Sequence, residues 1–462
     1  MLYAGDKRVR RKWVGGVISP SNLKNQPLPI NNSDRVMKIL VVSGDYSCRN
    51  MGDVAMFLVT IERLKALWPS AMISVLTSDP DALAGQCIEA RPVLHKGRGL
   101  WFSNEIFSAI VPKQLTRPNA AIRNLHRKLR ERNPKIFEFL IRLKLRVKGV
   151  DSGEFRSFVN AFEESDIVVA SGQAGLNDHI VKHSLMLLEL LEAASRRKKL
   201  TAMFSQGIGP LRDSQLIARC RSVLPTIDLI TLREQWVGAP FLRSIGVQPE
   251  RLRITGDDAV GLAYNKRPKD VGTAIGVSLR LGGYAGVDSS FIDDLRPILQ
   301  KLSVSYNAPF VPVPISRTEM RDAKAIRLLL NDNEKNPGES ESLDTPLKVI
   351  ENVGKCRVVI AGAYHAAVFA LSQGIPVVGL ANSEYTLNRF RGLAREFGCG
   401  CEIVWLDGAN LDERLTRAFA RIWALSKSLR LSLLEASVRQ VRESQNAYRY
   451  LYERSKVNAN VA

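Results

Sequence analysis

Two doubly wound α/β halves facing a cleft are the fold that this sequence predicts. Three observations carry the prediction. Short apolar runs alternate with amphipathic helical stretches, the alternation runs through the chain twice, and polar turns bearing Gly follow the apolar runs. Ordered alternation of this kind builds a parallel sheet with helices on both faces, and the carboxyl ends of its strands line a ligand crevice.

The first cycle opens on Ile39-Leu40-Val41-Val42, a buried-strand signal. It leads through Ser43 to Asp53 into an amphipathic helix over 54–67. Further strands are expected at 73–76, 166–170, 200–204 and 229–231, with a Leu-rich helix over 183–196 whose end is marked by Arg196-Arg197-Lys198-Lys199. The second cycle starts near Ala274. Strands are expected at 274–279, 309–313, 358–361 and 377–380, helices at 291–302, 320–330 and 365–373, and a polar loop at 331–344. The stretch 257–272, with Lys266-Arg267-Pro268-Lys269-Asp270, reads as the linker. The expected organisation is a flexible leader (1–35), a first Rossmann-like half (36–265) with a basic helical insertion near 116–148, a second half (272–410), and C-terminal helices (411–462) that cross back over the first half. That is the GT-B-like arrangement.

Composition narrows the class. At 462 residues and 45% hydrophobic, the chain has the size of two or three globular domains. No apolar run reaches membrane-spanning length, and the basic N-terminus lacks the apolar core of a signal peptide. The six Cys are scattered, only Cys399-Gly-Cys401 is close-set, and no His pair accompanies it, so free thiols in a reducing cytoplasm and no metal centre are expected. Net charge is +20, and part of it is concentrated: between Arg117 and Lys148 eleven Lys or Arg face only Glu131 and Glu138. Apolar residues recur beside them, and a break is expected at Asn133-Pro134. Three readings stay open for this stretch: a solvated helical face, contact with anionic lipid on the inner membrane face or with a lipid-linked substrate, and nucleic acid. No nucleic-acid-binding fold accompanies it, which places nucleic acid last.

Candidate site residues fall at strand ends. Asn50 and Asp53 follow the first strand, and both turn shaping and ligand contact are open to them. Asn177 and Asp178 follow Ser171-Gly172-Gln173-Ala174-Gly175, read as a Gly-bearing turn, as is Gln206-Gly207-Ile208-Gly209-Pro210. Arg233 and Arg280 stand just past strands and suit a carboxylate or phosphate. His365, one of five His, starts a helix after the buried strand 358–361 and the turn at Gly362, where an imidazole could act as acid or base near physiological pH.

Taken in order, these pieces resemble the polysaccharide pyruvyl transferase family. The resemblance runs from about Lys38 to Cys399. It rests on Asn50-Met51-Gly52-Asp53, Ser171 to Gly175 with Asn177-Asp178, Gln206 to Leu211, Thr231-Leu232-Arg233, Leu242 to Val247, Thr255-Gly256-Asp257, and Tyr364-His365-Ala366 followed by Gly374-Ile375-Pro376-Val377-Val378. It implies transfer of a pyruvyl group from phosphoenolpyruvate to two hydroxyls of a sugar, giving a ketal on a bacterial cell-surface polysaccharide or its lipid-linked precursor. Phosphoenolpyruvate enters as co-substrate, with no resident cofactor. Arg233 matches the family's donor-binding Arg and His365 its His, the two catalytic candidates. Arg280, Gly362 and Arg389 join them on the donor side, and Asn50, Asp53, Asn177 and Asp178 on the acceptor side. Two positions depart from the pattern: Ala363 stands where members often carry Arg, with Arg280, Arg389 or Arg391 as possible substitutes, and Gln173-Ala174 stand where Gly is expected. The alternatives are a glycosyltransferase using a nucleotide-sugar donor and a non-catalytic glycan-binding member.

Overall fold

The computed structural model describes residues 36–102, 120–282, 290–318, 321–330, 342–406 and 409–461. The expected leader and most of the expected 331–344 loop lie outside the described residues. Eight strands form the first sheet: β1 (Lys38–Val42), β2 (Met72–Thr77), β3 (Arg91–Leu94), β4 (Ile167–Ala170), β5 (Gln173–Leu176), β6 (Leu200–Ile208), β7 (Leu229–Leu232) and β8 (Leu252–Ile254). Their order is β3-β2-β1-β4-β6-β7-β8, with β5 beside β6. The second sheet is β10-β9-β11-β12-β13, built from β9 (Ala274–Ser278), β10 (Phe310–Pro312), β11 (Cys356–Ala361), β12 (Val377–Ala381) and β13 (Cys401–Trp405). Every strand pairing in both sheets is parallel. Val41, opposite Val75 on one side and Val169 on the other, shows why the strands read as continuous apolar runs: helices cover both faces.

Strand order reverses once in each sheet. β1 lies between β2 and β4, and β9 lies between β10 and β11. At such a switch point the connections leave in opposite directions and open a crevice outside the strand ends.

Three stretches differ from the sequence reading. Residues 206–208, expected in a turn, continue β6, and residues 173–176, also expected in a turn, are β5, because β6 offers Gln206 and Ile208 as partners for Gln173 and Leu176. β6 reaches that far through an irregularity: Ser205 sits at φ +50°, and the register to β7 shifts between Met203 and Gln206. The expected linker is not a loose connection either. Helix Ala259–Asn265 fills its start, and the small residues Ala259, Val260 and Ala263 are buried against helices Met51–Leu67, Tyr364–Ser372 and Leu411–Val461. Only 265–266 and 269–270 in the charged part are exposed.

The C-terminal helix runs unbroken over Leu411–Val461, 51 residues or about 75 Å of axis. Near its start Phe419 and Ile422 pack in the core of the second sheet. Farther on, Tyr448 stacks on Phe204 of the first sheet with ring centroids 3.7 Å apart. Asp258, buried, fastens this crossing. It accepts hydrogen bonds from Tyr448 Oη (2.8 Å), from Arg63 Nη1 (3.0 Å) and from Ser444 Oγ.

Removing Asp258 leaves the largely buried Arg63 cation without its carboxylate. Asp258→Ala is expected to lower unfolding free energy by about 3–5 kcal/mol in urea titrations. Tyr448→Phe, which deletes one hydroxyl, is expected to cost about 1–2 kcal/mol.

Candidate functional site

The two switch points face each other, and their loops build one cavity. Past β1 the chain turns around the Asp45 carboxylate, which accepts the N–H of Ser47 (2.9 Å), Arg49 (2.6 Å) and Asn50 (2.7 Å). Asn50 then caps helix Met51–Leu67, its Oδ1 accepting from Gly52 N–H at 3.1 Å and Asp53 N–H at 3.4 Å. This cap turns the Asp53 carboxyl into the cavity.

From the second sheet, Arg280 stands two residues past β9. Its fork grips Asp322 through Nε (2.8 Å) and Nη2 (3.3 Å). The same buried carboxylate accepts the N–H of Ile315 (3.0 Å) and Ser316 (2.7 Å). That turn then bridges to the first half: Met51 N–H donates to Ile315 O and Arg317 N–H to Arg49 O, each at 2.8 Å. Past β11, Gly362 N–H donates to Ser278 O at 2.6 Å, and helix Tyr364–Ser372 begins with His365 in its first turn. Past β12, Ser383 and Thr386 form a capping box that starts helix Glu384–Phe397. This helix carries Tyr385 and Arg389, whose Nη1 donates to Tyr385 Oη at 3.2 Å and whose guanidinium lies 4.2 Å from the Tyr364 ring centre.

Gly52 lets the two halves close. A Cβ there would lie 2.0 Å from Cγ of His365, so the imidazole occupies the space a side chain would need.

The cavity has a volume of about 250 Å³. Asn50, Asp53, Arg280, Gly362, His365 and Arg389, six of the residues singled out from sequence, line it together. Three others are placed elsewhere. Arg233 is buried behind this wall: Nε donates to Ser205 O (2.8 Å), Nη2 contacts Met56 Sδ (3.1 Å), and Asp257 Oδ2 lies 3.2 Å from Nε. It lines a second, smaller space of about 60 Å³ that shares Tyr364, Tyr385 and Arg389 with the first. Asn177, buried, donates to Ala174 O and accepts from His179 N–H. Asp178 accepts from the N–H of Arg212 and Asp213. Both shape the chain after β5, and neither is among the residues lining the cavity. Arg391 is exposed and does not line it, whereas Ala363 does.

Sequence reasoning quoted Gln173 and Tyr364 in motifs but gave them no site role, and passed over His183 and Tyr385 in the cavity wall and Asp322 behind it. His183 Nε2 lies 3.3 Å from Gln173 Oε1. A histidine in the first turn of a helix entering the sheet was a signal for His183. Nothing local marks Asp322, whose role comes from a fold-back of the chain.

Burial sets the charges. It raises the Asp53 carboxyl to about 7; the Asp45 charge adds to the rise, and Arg233 and Arg389 oppose it. Asp257 would also rise on burial, but the Arg233 guanidinium above all, with the Ala259 N–H, outweighs that and holds it at about 2. His365 is pushed down to about 4 by burial, although Asp257 Oδ2 stands 3.6 Å from Nε2. At that length the contact is not a hydrogen bond, and the ring is neutral at physiological pH. The expectation of an imidazole titrating near pH 7 is therefore corrected: desolvation wins, and the group that titrates there is Asp53. Burial likewise lowers His183 to about 4. Among the described residues no cluster of three or more His, Cys, Asp or Glu side chains is placed to hold a metal ion.

Residues 50–384 match the family model for polysaccharide pyruvyl transferase. The chain belongs to that family. The match begins at the cap Asn50 and ends at Glu384, so of the cavity residues named above Tyr385, Thr386 and Arg389 lie beyond it. A search of curated proteins returns no match. Among solved structures, S. aureus MnaA with UDP is 10% identical with a TM-score of 0.51, covering 87% of this chain and 94% of its own. HepE from Anabaena in complex with UDP is 13% identical, TM-score 0.50, covering 90% and 99%. UGT73P12 of Glycyrrhiza uralensis, complexed with glycyrrhetinic acid 3-O-monoglucuronide, is 9% identical, TM-score 0.50, covering 92% and 98%. At these identities the likeness shows the fold, which is the GT-B arrangement expected from sequence. This pyruvyl transferase family member thus carries its cavity where the two sheets of that fold face each other.

Gly52→Ala is expected to destabilise the protein by about 1–3 kcal/mol in chemical denaturation, because neither ring nor helix has room to move. Gly85→Ala is the control. Its Cβ would meet nothing within 4 Å, and a helical Gly→Ala exchange is expected to add about 0.5–1 kcal/mol.

Proposed function

We propose that this protein transfers a pyruvyl group from phosphoenolpyruvate to two hydroxyls of a sugar on a cell-surface polysaccharide or its lipid-linked precursor. Family membership supports the reaction class. The observation that carries the reading is the pairing, in one cavity, of two guanidinium groups with a buried carboxyl that titrates near pH 7.

The donor has a carboxylate and a phosphate, and Arg280 and Arg389 would bind them. Arg280 is held ready by Asp322, and Arg389 by Tyr385 and the Tyr364 face. One acceptor oxygen adds to C2 of the enol while C3 takes a proton from Asp53, turning the methylene into a methyl group. The first hydroxyl proton returns to the Asp53 carboxylate. The second acceptor oxygen then displaces phosphate at C2, and its proton leaves with the phosphate. The products are a carboxyethylidene ketal and inorganic phosphate. In this reading Arg233 is a positioning residue. With Asp257 it forms the buried charge pair behind Tyr364 and His365, and neutral His365 packs the donor pocket against the Gly52 turn.

Calorimetric titration of phosphoenolpyruvate tests the donor. Saturable binding is expected, weakened about tenfold to a hundredfold in Arg280→Ala and in Arg389→Ala. A second reading, glycosyl transfer from a nucleotide sugar, is favoured by Ala363, which leaves the donor side one cation short of the family pattern. Binding of a uridine-diphosphate sugar with silence from phosphoenolpyruvate would establish it instead. The protonated form of Asp53 is the competent one. kcat/KM for ketal formation is therefore expected to be level below about pH 7 and to fall as pH rises beyond it. That alkaline limb should be missing from the residual activity of Asp53→Asn.

A further inference from the structure

The basic insertion forms a helical hairpin, Ala120–Arg132 and Pro134–Val147, broken at Asn133 as the sequence implied. The second helix has two apolar stripes. Phe137, Ile141 and Leu145 are buried in the core of the first half, where Phe137 meets the edge of Trp101 at 5.3 Å between centroids. Arg130 locks the hairpin in place by donating to Trp101 O at 3.1 Å. The other stripe, Ile136, Phe139, Leu143 and Val147, recurs at helical spacing on the solvent side, and these residues are 53%, 61%, 47% and 81% exposed. Singly exposed apolar side chains are ordinary, but four in one row on a fixed helix are a patch with an occupant.

Charge identifies that occupant. Lys135, Arg142 and Arg146 are exposed and run beside the stripe, and Lys148 follows at the end of the helix. Of these, Arg142 has an acid in reach, Glu138 at 3.8 Å. A row of large aliphatic and aromatic side chains edged by cations is the pattern that beds into the headgroup layer of an anionic bilayer. Duplex nucleic acid would use the cations and leave the apolar row in water. A second copy would bring like charges together in a chain whose net charge is +20. No described helix is long and apolar enough to cross a membrane, so the contact would be peripheral.

We infer that the outer face of helix Pro134–Val147 docks this protein on an anionic lipid surface, with Phe139 and Leu143 entering the interface and Lys135 and Arg146 pairing with headgroups. This holds whichever group the cavity transfers. Vesicle flotation of the full chain tests it. Binding to phosphatidylcholine vesicles with about 30% phosphatidylglycerol is expected to exceed binding to phosphatidylcholine alone at least about tenfold, and to weaken in about 0.5 M NaCl. Phe139→Ser with Leu143→Ser should lower binding about tenfold, and Lys135→Glu with Arg146→Glu should abolish the preference for anionic lipid, each with an unchanged thermal melt because these side chains are exposed. Equal binding to both vesicle types, or to neither, overturns the proposal. So does a wild-type dimer that Phe139→Ser dissolves, or duplex binding that is indifferent to Phe139→Ser while vesicles are not bound.

Discussion

Two parallel sheets can share a cavity only if their facing loops are held at a fixed spacing, and in this protein a missing side chain sets that spacing. Gly52 leaves a gap at the start of helix Met51–Leu67, and the ring of His365 fills it from the other half. The backbone bridge from Met51 and Arg49 to Ile315 and Arg317 runs alongside. With that seam closed, helices from both sheets begin at one space, and the positive ends of their dipoles add to the charge of Arg280 and Arg389.

The charges are arranged by depth. At the back, Arg233 and Asp257, both buried, neutralise each other. In front of them are groups that burial keeps neutral, His365 and the Tyr364 phenol, whose ionisation is pushed up. The cavity itself holds the two guanidinium groups and one carboxyl near its midpoint of titration. An anionic ligand therefore meets fixed positive charge at the walls and a single mobile proton. The neutral layer keeps Asp257 from acting as a competing anion at the surface.

Much of this was written locally in the chain. Runs such as Ile39–Val42 and Val358–Ala361 are buried on both faces, so their composition alone marks them as strands, and the polar residues just past them mark the crevice. Edge strands were harder. β3 contains Arg91 and Pro92 and buries only Val93, and β13 mixes Cys401 and Glu402 with its apolar residues. Neither has the composition of a buried strand. β5 hid inside a Gly-bearing motif because its pairing depends on how far β6 extends. Site residues split the same way. Position after a strand found Asp53, Arg280 and His365, but it could not separate Arg280, which reaches the cavity, from Arg233, which a partner seals behind the wall. Asp178 looked like a ligand group because a carboxylate that organises backbone N–H groups and one that awaits a substrate have the same sequence signature.

The long C-terminal helix imposes an order on assembly. Thr60 of the first half makes its hydrogen bond to Tyr448, 388 positions downstream, and Phe204 waits for the same ring. Until that segment has been synthesised, the apolar groove around Phe204 and Trp68 stays open to water, although every strand of its sheet already exists. The first half therefore lacks this part of its packing until the C-terminal helix is made. Contacts of such separation slow folding and expose sticky surface in the meantime. Completion of this part of the core thus waits for the last crossing, a demand that comes from topology and is unrelated to the chemistry of the cleft.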